Sequence, residues 1–302
     1  VLIDLLDIRA ILNSTKKNVF FDLQNSINKM SIAYRFFLHK DNSLANFNGS
    51  SDINYKILKD LASEIPKPNK NPRELIYGGF QRIDTKNTTL ILDCGVPKNY
   101  DATYKAHSCT ASFELSHKKN KIIVNSLSGL DGNIKKTTAA HSTLTLNNTN
   151  AYKILNNNHL SRVPTKLKVK RVERYGANII EIENYSYKNQ YEAIHKRIIY
   201  MDKNGIDIRG EDNIYCPLEL SFDIRFYLDL RIKTLVTNNE KNAVLKLPNG
   251  AGWKFVSSLD KLNLVLNRSL NTNNQPVRNE HIHLAGKTKE LITVIKWSLK
   301  KY

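Results

Sequence analysis

A chain of 302 residues with 41% hydrophobic content is long enough to bury a substantial core, as one large or two ordinary domains. Lys and Arg outnumber Asp and Glu by 46 to 28, and the formal charge of +18 favours polyanions as partners: nucleic acid, anionic membrane or acidic polysaccharide. The basic residues are scattered through a sequence rich in Asn and Ile, so charge alone selects none of these. No uninterrupted apolar stretch is long enough to span a bilayer, which argues against a membrane-embedded chain.

The amino terminus, VLIDLLDIRAIL, lacks a basic n-region and carries Asp4 and Asp7 within its apolar run, so it does not read as a signal peptide. The chain begins at Val1, without methionine, as a piece of a longer protein would. In FFDLQNSINKMSIAYRFFLH, the positions Phe20, Leu23, Ile27, Met30, Tyr34 and Phe37 recur at three- and four-residue intervals and predict one helical stripe. A second stripe, Ile53, Ile57, Leu58, Leu61 and Ile65, follows Ser50, Ser51 and Asp52, all good N-cap residues. About three helices are expected, too few for a large core of their own. PKPNKNP, residues 66–72, has three prolines and no apolar residue and reads as a linker.

Beyond the linker the period changes to two. Strands are expected over residues 88–94, 107–115, 121–126, 141–146, 167–173, 178–184, 193–201, 206–212, 220–228, 243–248, 253–258, 262–267, 281–285 and 292–299, joined by turn-formers such as DKNG and PNGAG. Many short strands without intervening helices predict a mainly β fold, a large antiparallel β-sandwich preceded by a short helical segment. The expected division is a helical segment with linker over 1–70 and a sandwich domain over 71–302.

The chain has no GxGxxG, P-loop, HExxH or GxSxG pattern, and no RNP-type aromatic and basic signature accompanies its charge, which argues against nucleic-acid binding. Histidines are the remaining candidates. If YKAHSCTASFEL is extended, His107 shares a face with Cys109, Ala111, Phe113 and Leu115. His141 heads a second strand, HSTLTL, so the two could meet at one sheet edge, as metal ligands or as hydrogen-bonded structural histidines. A zinc site would need a third ligand, for which Asn125 and Asp131 are nearby in sequence. His281 and His283 share a strand face with no further ligand evident, and Arg209 in RGED is expected to pair locally with Asp or Glu. Cys94, Cys109 and Cys216 form no CxxC pair and are expected to be small buried residues in strands.

The ordered set RFFLHKDNSLANFNGS, GGFQRI, LILDCG, YKAHSCTASFELS, KIIVNS, TAAHSTLTLNNTNAYKIL, IHKRIIYMDKNGIDIRGED, IRFYL and GWKF resembles the carboxy-terminal part of the heparinase II/III-like family, especially its alphaproteobacterial branch. H-x(4)-SFEL and AAHSTL carry the most specificity. The resemblance implies that residues 1–65 are the last helices of an α/α toroid, that the sandwich follows, and that the inherited activity is β-elimination of a uronate-containing acidic polysaccharide such as a glycosaminoglycan. The family's catalytic tyrosine and uronate-facing asparagine or histidine come mainly from toroid helices that precede the matching part. The surroundings of Tyr34 do not match the family's catalytic-tyrosine stretch, and it reads as a core residue.

The family's H-x-H-x-D strand motif falls on Lys105, His107 and Cys109, so Lys105 stands where the catalytic histidine is usual. The family's structural zinc ligands fall on His107, Asn125 and His141, and asparagine in place of aspartate predicts weaker zinc binding. Family members are often periplasmic, but nothing in this sequence fixes a compartment. The implied partners are an acidic polysaccharide and a separate chain supplying the toroid. Two functions fit this reading: a truncated lyase, or a non-catalytic carbohydrate-binding or assembly module.

Overall fold

The computed structural model describes residues 1–50, 60–61, 63–65, 70–96, 103–125, 132–161, 166–237, 240–270, 276–289 and 291–302. Two helices come first, α1 (Leu2–Ser14) and α2 (Phe21–Phe36). Most of the helix expected over 53–65, part of the linker and Asp131 lie outside the described residues. Strands then follow as β1 (Glu74–Leu75), β2 (Phe80–Asp84), β3 (Thr88–Asp93), β4 (Phe113–His117), β5 (Asn120–Val124), β6 (Leu144–Leu146), β7 (Leu167–Arg174), β8 (Ala177–Asn184) and β9 (Ile194–Met201). The series ends with β10 (Asp207–Tyr215), β11 (Ser221–Leu228), β12 (Lys233–Val236), β13 (Asn242–Lys246), β14 (Gly252–Ser257), β15 (Asn263–Leu270), β16 (Pro276–Lys287) and β17 (Ile292–Lys301).

Among the described residues these form two antiparallel sheets. The first runs β1-β2-β3-β4-β5-β11-β16-β15, with β6 also on β11, and the second runs β12-β13-β14-β17-β10-β9-β8-β7. Alternation fixes their faces: in β9, His195, Arg197, Ile199 and Met201 are buried while Ile194, Lys196, Ile198 and Tyr200 are partly exposed. The inward rows of both sheets share one core, in which Phe113 stacks on Trp297 at 5.6 Å and Phe226 meets the same indole edge-on at 4.9 Å.

β3 and β4 are buried on both faces because the chain after α2 lies over the outer side of the first sheet. Phe36, Ala45 and Phe47 pack there against Phe80 and Ile91, a contact made by apolar residues from before and after the linker. A smaller cluster, Leu2, Leu6, Ile27, Leu61 and Ile65, closes α1 and α2 onto each other and onto the residues before the linker.

Two expected strands are shorter than alternation suggested. Residues 107–112 are not a strand: Ala111 adopts a left-handed conformation at φ 66°, and its N–H donates to Asp93 O while Ser108 N donates to Lys136 O. Only Phe113–His117 joins the ladder. Likewise, 138–140 is a 3₁₀ turn, so His141 lies ahead of β6 rather than at its head. The short strands β1, β2 and β12 have no counterpart in the expected series.

Candidate functional site

The loops excluded from the ladder carry the candidate residues, and the structure brings His107 and His141 together. His107 Nδ1 lies 3.1 Å from His141 Nε2, and His141 Nδ1 lies 2.8 Å from Thr137 O. Because a carbonyl only accepts, His141 carries its proton on Nδ1, and its Nε2 accepts from the N–H of His107. Burial lowers His107 to about 3, helped by His141, Lys136 and Lys135. Burial also lowers His141 to about 4 against the pull of its Thr137 bond and of Glu114. Both rings are therefore neutral near pH 7, which is the form a hydrogen-bonded pair or a metal ligand requires.

Asn125, the third expected ligand, is engaged by backbone partners. Its Oδ1 accepts from Ser142 N at 3.1 Å and its Nδ2 donates to Asn46 O at 3.1 Å. Among the described residues no three His, Cys, Asp or Glu side chains converge as a metal-binding group. His107 and His141 supply two nitrogens, and a third ligand from the expected set would have to be Asn125. Lys105 is exposed, with its ammonium 5.7 Å from the centroid of the Tyr104 ring. Lys136 faces the same ring at 5.7 Å, but it is buried and its Nζ donates to Tyr104 O and, at 2.7 Å, to Asn158 O, so the exposed cation beside Tyr104, itself 53% exposed, is Lys105.

Several partners were not legible from spacing. Asn48 Oδ1 accepts from His107 N at 2.9 Å, and the next residue, Gly49 at φ 78°, brings the backbone close: a Cβ there would stand 4.0 Å from His107 Nε2. Cys109 donates from Sγ to Asp93 Oδ2 at 2.9 Å, and burial raises Asp93 to about 6 despite that bond and the Gly95 N–H. All three cysteines are free and buried, but none lies within a strand: Cys94 follows β3, Cys216 follows β10, and Cys109 sits in a loop.

Glu114 explains the SFEL motif. Fully buried, it accepts from Asn46 N at 3.0 Å and Asn125 N at 2.9 Å with Oε1, while Oε2 lies 2.9 Å from His39 Nε2 and 3.8 Å from Lys121 Nζ. Burial opposes its ionisation, but Lys121 and His39 outweigh that and hold the carboxyl below the usual range. One carboxylate therefore pins the segment after α2 to the first sheet and fixes Asn125 as well.

A second buried charge pair anchors the histidine loops from behind. Arg197 donates to Asp212 through Nε at 2.7 Å, and its Nη1 reaches Ala111 O at 2.8 Å and Ser142 O at 2.7 Å. These two carbonyls belong to the loops that carry His107 and His141. Asp212 also accepts from His195 at 2.6 Å and from the Trp297 indole at 2.9 Å. In RGED, Asp212 thus points inward, whereas Arg209 pairs with Asp207, its Nη2 at 2.7 Å from Oδ2, within a continuous strand rather than a turn.

His283 and His281 lie elsewhere on the outer side of the first sheet. His283 Nε2 is 2.6 Å from Asp223 Oδ1, and the His281 ring is 4.9 Å from that of Tyr227, so this pair is packed and partnered rather than ligating. Tyr34 lines an apolar cavity of about 530 Å³ with Met30, Phe37, Leu44, Phe47 and Phe80, between the helices and the sandwich.

Comparison with known proteins places this architecture. Heparan sulfate lyase HepC from Pedobacter heparinus superposes with a TM-score of 0.70 at 16% identity, over 93% of this chain and 47% of that one. A heparinase III superposes at 0.65 and 14% identity, over 99% of this chain and 52% of that one. At such identities the likeness speaks for the fold. Among curated proteins, FtsZ-localized protein C of Caulobacter vibrioides is 22% identical over 256 residues, 76% of this chain and 44% of that protein. The chain spans about half the length of the proteins it matches or less. The family profile described as heparinase II/III-like, C-terminal, matches residues 67–298, and by that match the chain belongs to the heparinase II/III-like family.

Proposed function

We propose that this chain is the sandwich part of a heparinase II/III-like polysaccharide lyase, acting by β-elimination on a uronate-containing acidic polysaccharide. The observation that carries the reading is the neutral His107–His141 pair, bonded to Asn48 and preceded by the exposed Lys105 and Tyr104, where the segment after α2 meets the first sheet. Elimination needs the uronate carboxylate neutralised, the proton beside it removed and the departing oxygen protonated. Lys105, exposed beside Tyr104, supplies positive charge for the first requirement. The acid and base would come from outside the residues gathered here, consistent with the short span of the chain relative to its homologues.

A second reading is favoured by Lys105 in the histidine column and by the curated relative, whose name records localisation with FtsZ rather than an activity. On that reading the chain is a non-catalytic carbohydrate-binding or assembly module. Incubation with heparan sulfate and other uronate polysaccharides, followed by ultraviolet absorbance, separates the two. Unsaturated uronate accumulating, and lost in His107→Ala, supports a lyase active in this chain; saturable binding without product supports the module and ends the stand-alone lyase reading.

A further inference from the structure

The second sheet turns its outer face away from the histidine junction, and that face carries a trough of about 440 Å³ whose lining includes Ile198, Tyr200, Arg209, Val256, Ser258 and Ser298. Its shape follows from register. One row across four strands reads Val256, Ser298, Arg209, Tyr200, and small side chains at Val256 and Ser298 lower the floor between taller neighbours. The row on one side reads Lys254, Lys300, Asp207, and the row on the other reads Lys296, Glu211, Ile198. Four strands at ~4.8 Å spacing give the trough a run of about 14 Å.

Charge on this face is arranged against its own stability. Lys254 stands directly opposite Lys300, and Lys233 directly opposite Lys246, all four exposed. Like charges opposite each other across an antiparallel pair are destabilising. Of the nearby carboxylates, Asp207 stands opposite Lys300 and is shared between it and Arg209, 2.7 Å away, and Glu211 pairs with Lys296 at 3.6 Å. An anion laid along the trough would relieve the Lys254–Lys300 pair that flanks it.

We propose that this trough is a binding site for an anionic polysaccharide strand, with Lys296 in its lining, Lys254 and Lys300 in the flanking row, and Ser258, Ser298 and Tyr200 as its floor and end. The proposal rests on the reading that the chain handles acidic polysaccharide, and adds a second place where it does so. Serine hydroxyls suit a hydroxyl-rich chain. A single-stranded nucleic acid would call for successive aromatic platforms, whereas Tyr200 is the one outward aromatic in the lining, with the Arg209 guanidinium 5.7 Å from its ring centroid.

The test is binding of size-fractionated heparan sulfate, measured by titration calorimetry, to wild type, to Lys254→Ser/Lys300→Ser, to the charge-neutral trough-filling Ser298→Tyr, and to Lys17→Ser/Lys29→Ser on the exposed helical surface as a charge-matched control. Both trough variants should weaken binding by about tenfold while the control changes it less than about twofold. Equal losses in the trough and control doubles would overturn the proposal, as would single-stranded DNA binding more tightly than heparan sulfate with the same sensitivity to the trough variants. Unsaturated product is followed in parallel. Trough-dependent binding without product leaves this proposal standing and removes the stand-alone lyase reading; product with trough-independent binding does the reverse.

Discussion

Asn125 decides what the histidine pair can hold. Its amide satisfies Ser142 N and Asn46 O, two backbone groups in a buried setting, and leaving either unpaired costs about 1–3 kcal/mol. A metal drawing on Asn125 must meet that cost and do without a carboxylate's charge. Equilibrium dialysis should therefore give weak zinc binding that disappears in His107→Ala and strengthens in Asn125→Asp, since aspartate restores charge to the donor set. Stoichiometric zinc in untreated wild type would show that Asn125 swings off its backbone partners. Residue identity at this site was readable in sequence, because His107 and His141 fall in two recognisable motifs. Their surroundings were not: Asn48, Asp93 and Arg197 reach the site from separate segments, and nothing local in YKAHSCTASFEL announces the left-handed turn at Ala111.

At the scale of elements, period-two alternation located most strands, since a strand packed on one face must bury every second side chain. It overextended where alternation continued into a loop whose polar backbone is satisfied by other segments, as at residues 107–112. Between the sheets, the Arg197–Asp212 pair is held by five further or reciprocal contacts that leave neither charge bare. Arg197→Met should destabilise the protein by about 3–5 kcal/mol, because Asp212 is then left buried without its main counter-charge. Arg197→Met/Asp212→Leu should cost less than the single change, although the Ala111 and Ser142 carbonyls still lose their donor. Urea unfolding of the three proteins checks this; a double variant no more stable than the single would mean that those two carbonyls dominate.

For the whole molecule, acid sensitivity should begin earlier than carboxylates alone would set it. Burial lowers His117 to about 4, with Lys301 and Lys118 adding to it, and lowers His281 to about 3, with Arg225 and His283 adding to it. Both are neutral in the fold, so below the ordinary histidine value near 6.5 the unfolded chain takes up protons that the folded chain does not. Stability is full above that value and falls with pH, by about 1.4 kcal/mol for each such histidine at pH 5.5. Asp212 acts lower: burial opposes its charge, but Arg197 and His195 hold its carboxyl well below the usual range, so its contribution persists until the pH falls under the ordinary aspartate value. Urea midpoints at pH 7 and 5.5 test this, and a flat response would be the contrary result; His281→Asn should reduce the slope.

The reach of Arg197 to Ala111 and Ser142, across 86 and 55 positions of sequence, makes the histidine pair a product of strand registration. Arg197 faces inward only because β9 and β10 pair with Arg197 opposite Asp212. A slip of one residue would exchange the inward and outward rows, sending the guanidinium to solvent and an aliphatic or lysine side chain between the sheets. The placement of the two imidazoles is thus written in the hydrogen-bond ladder of the opposite sheet, so a substitution that leaves every loop residue intact could still dismantle the pair.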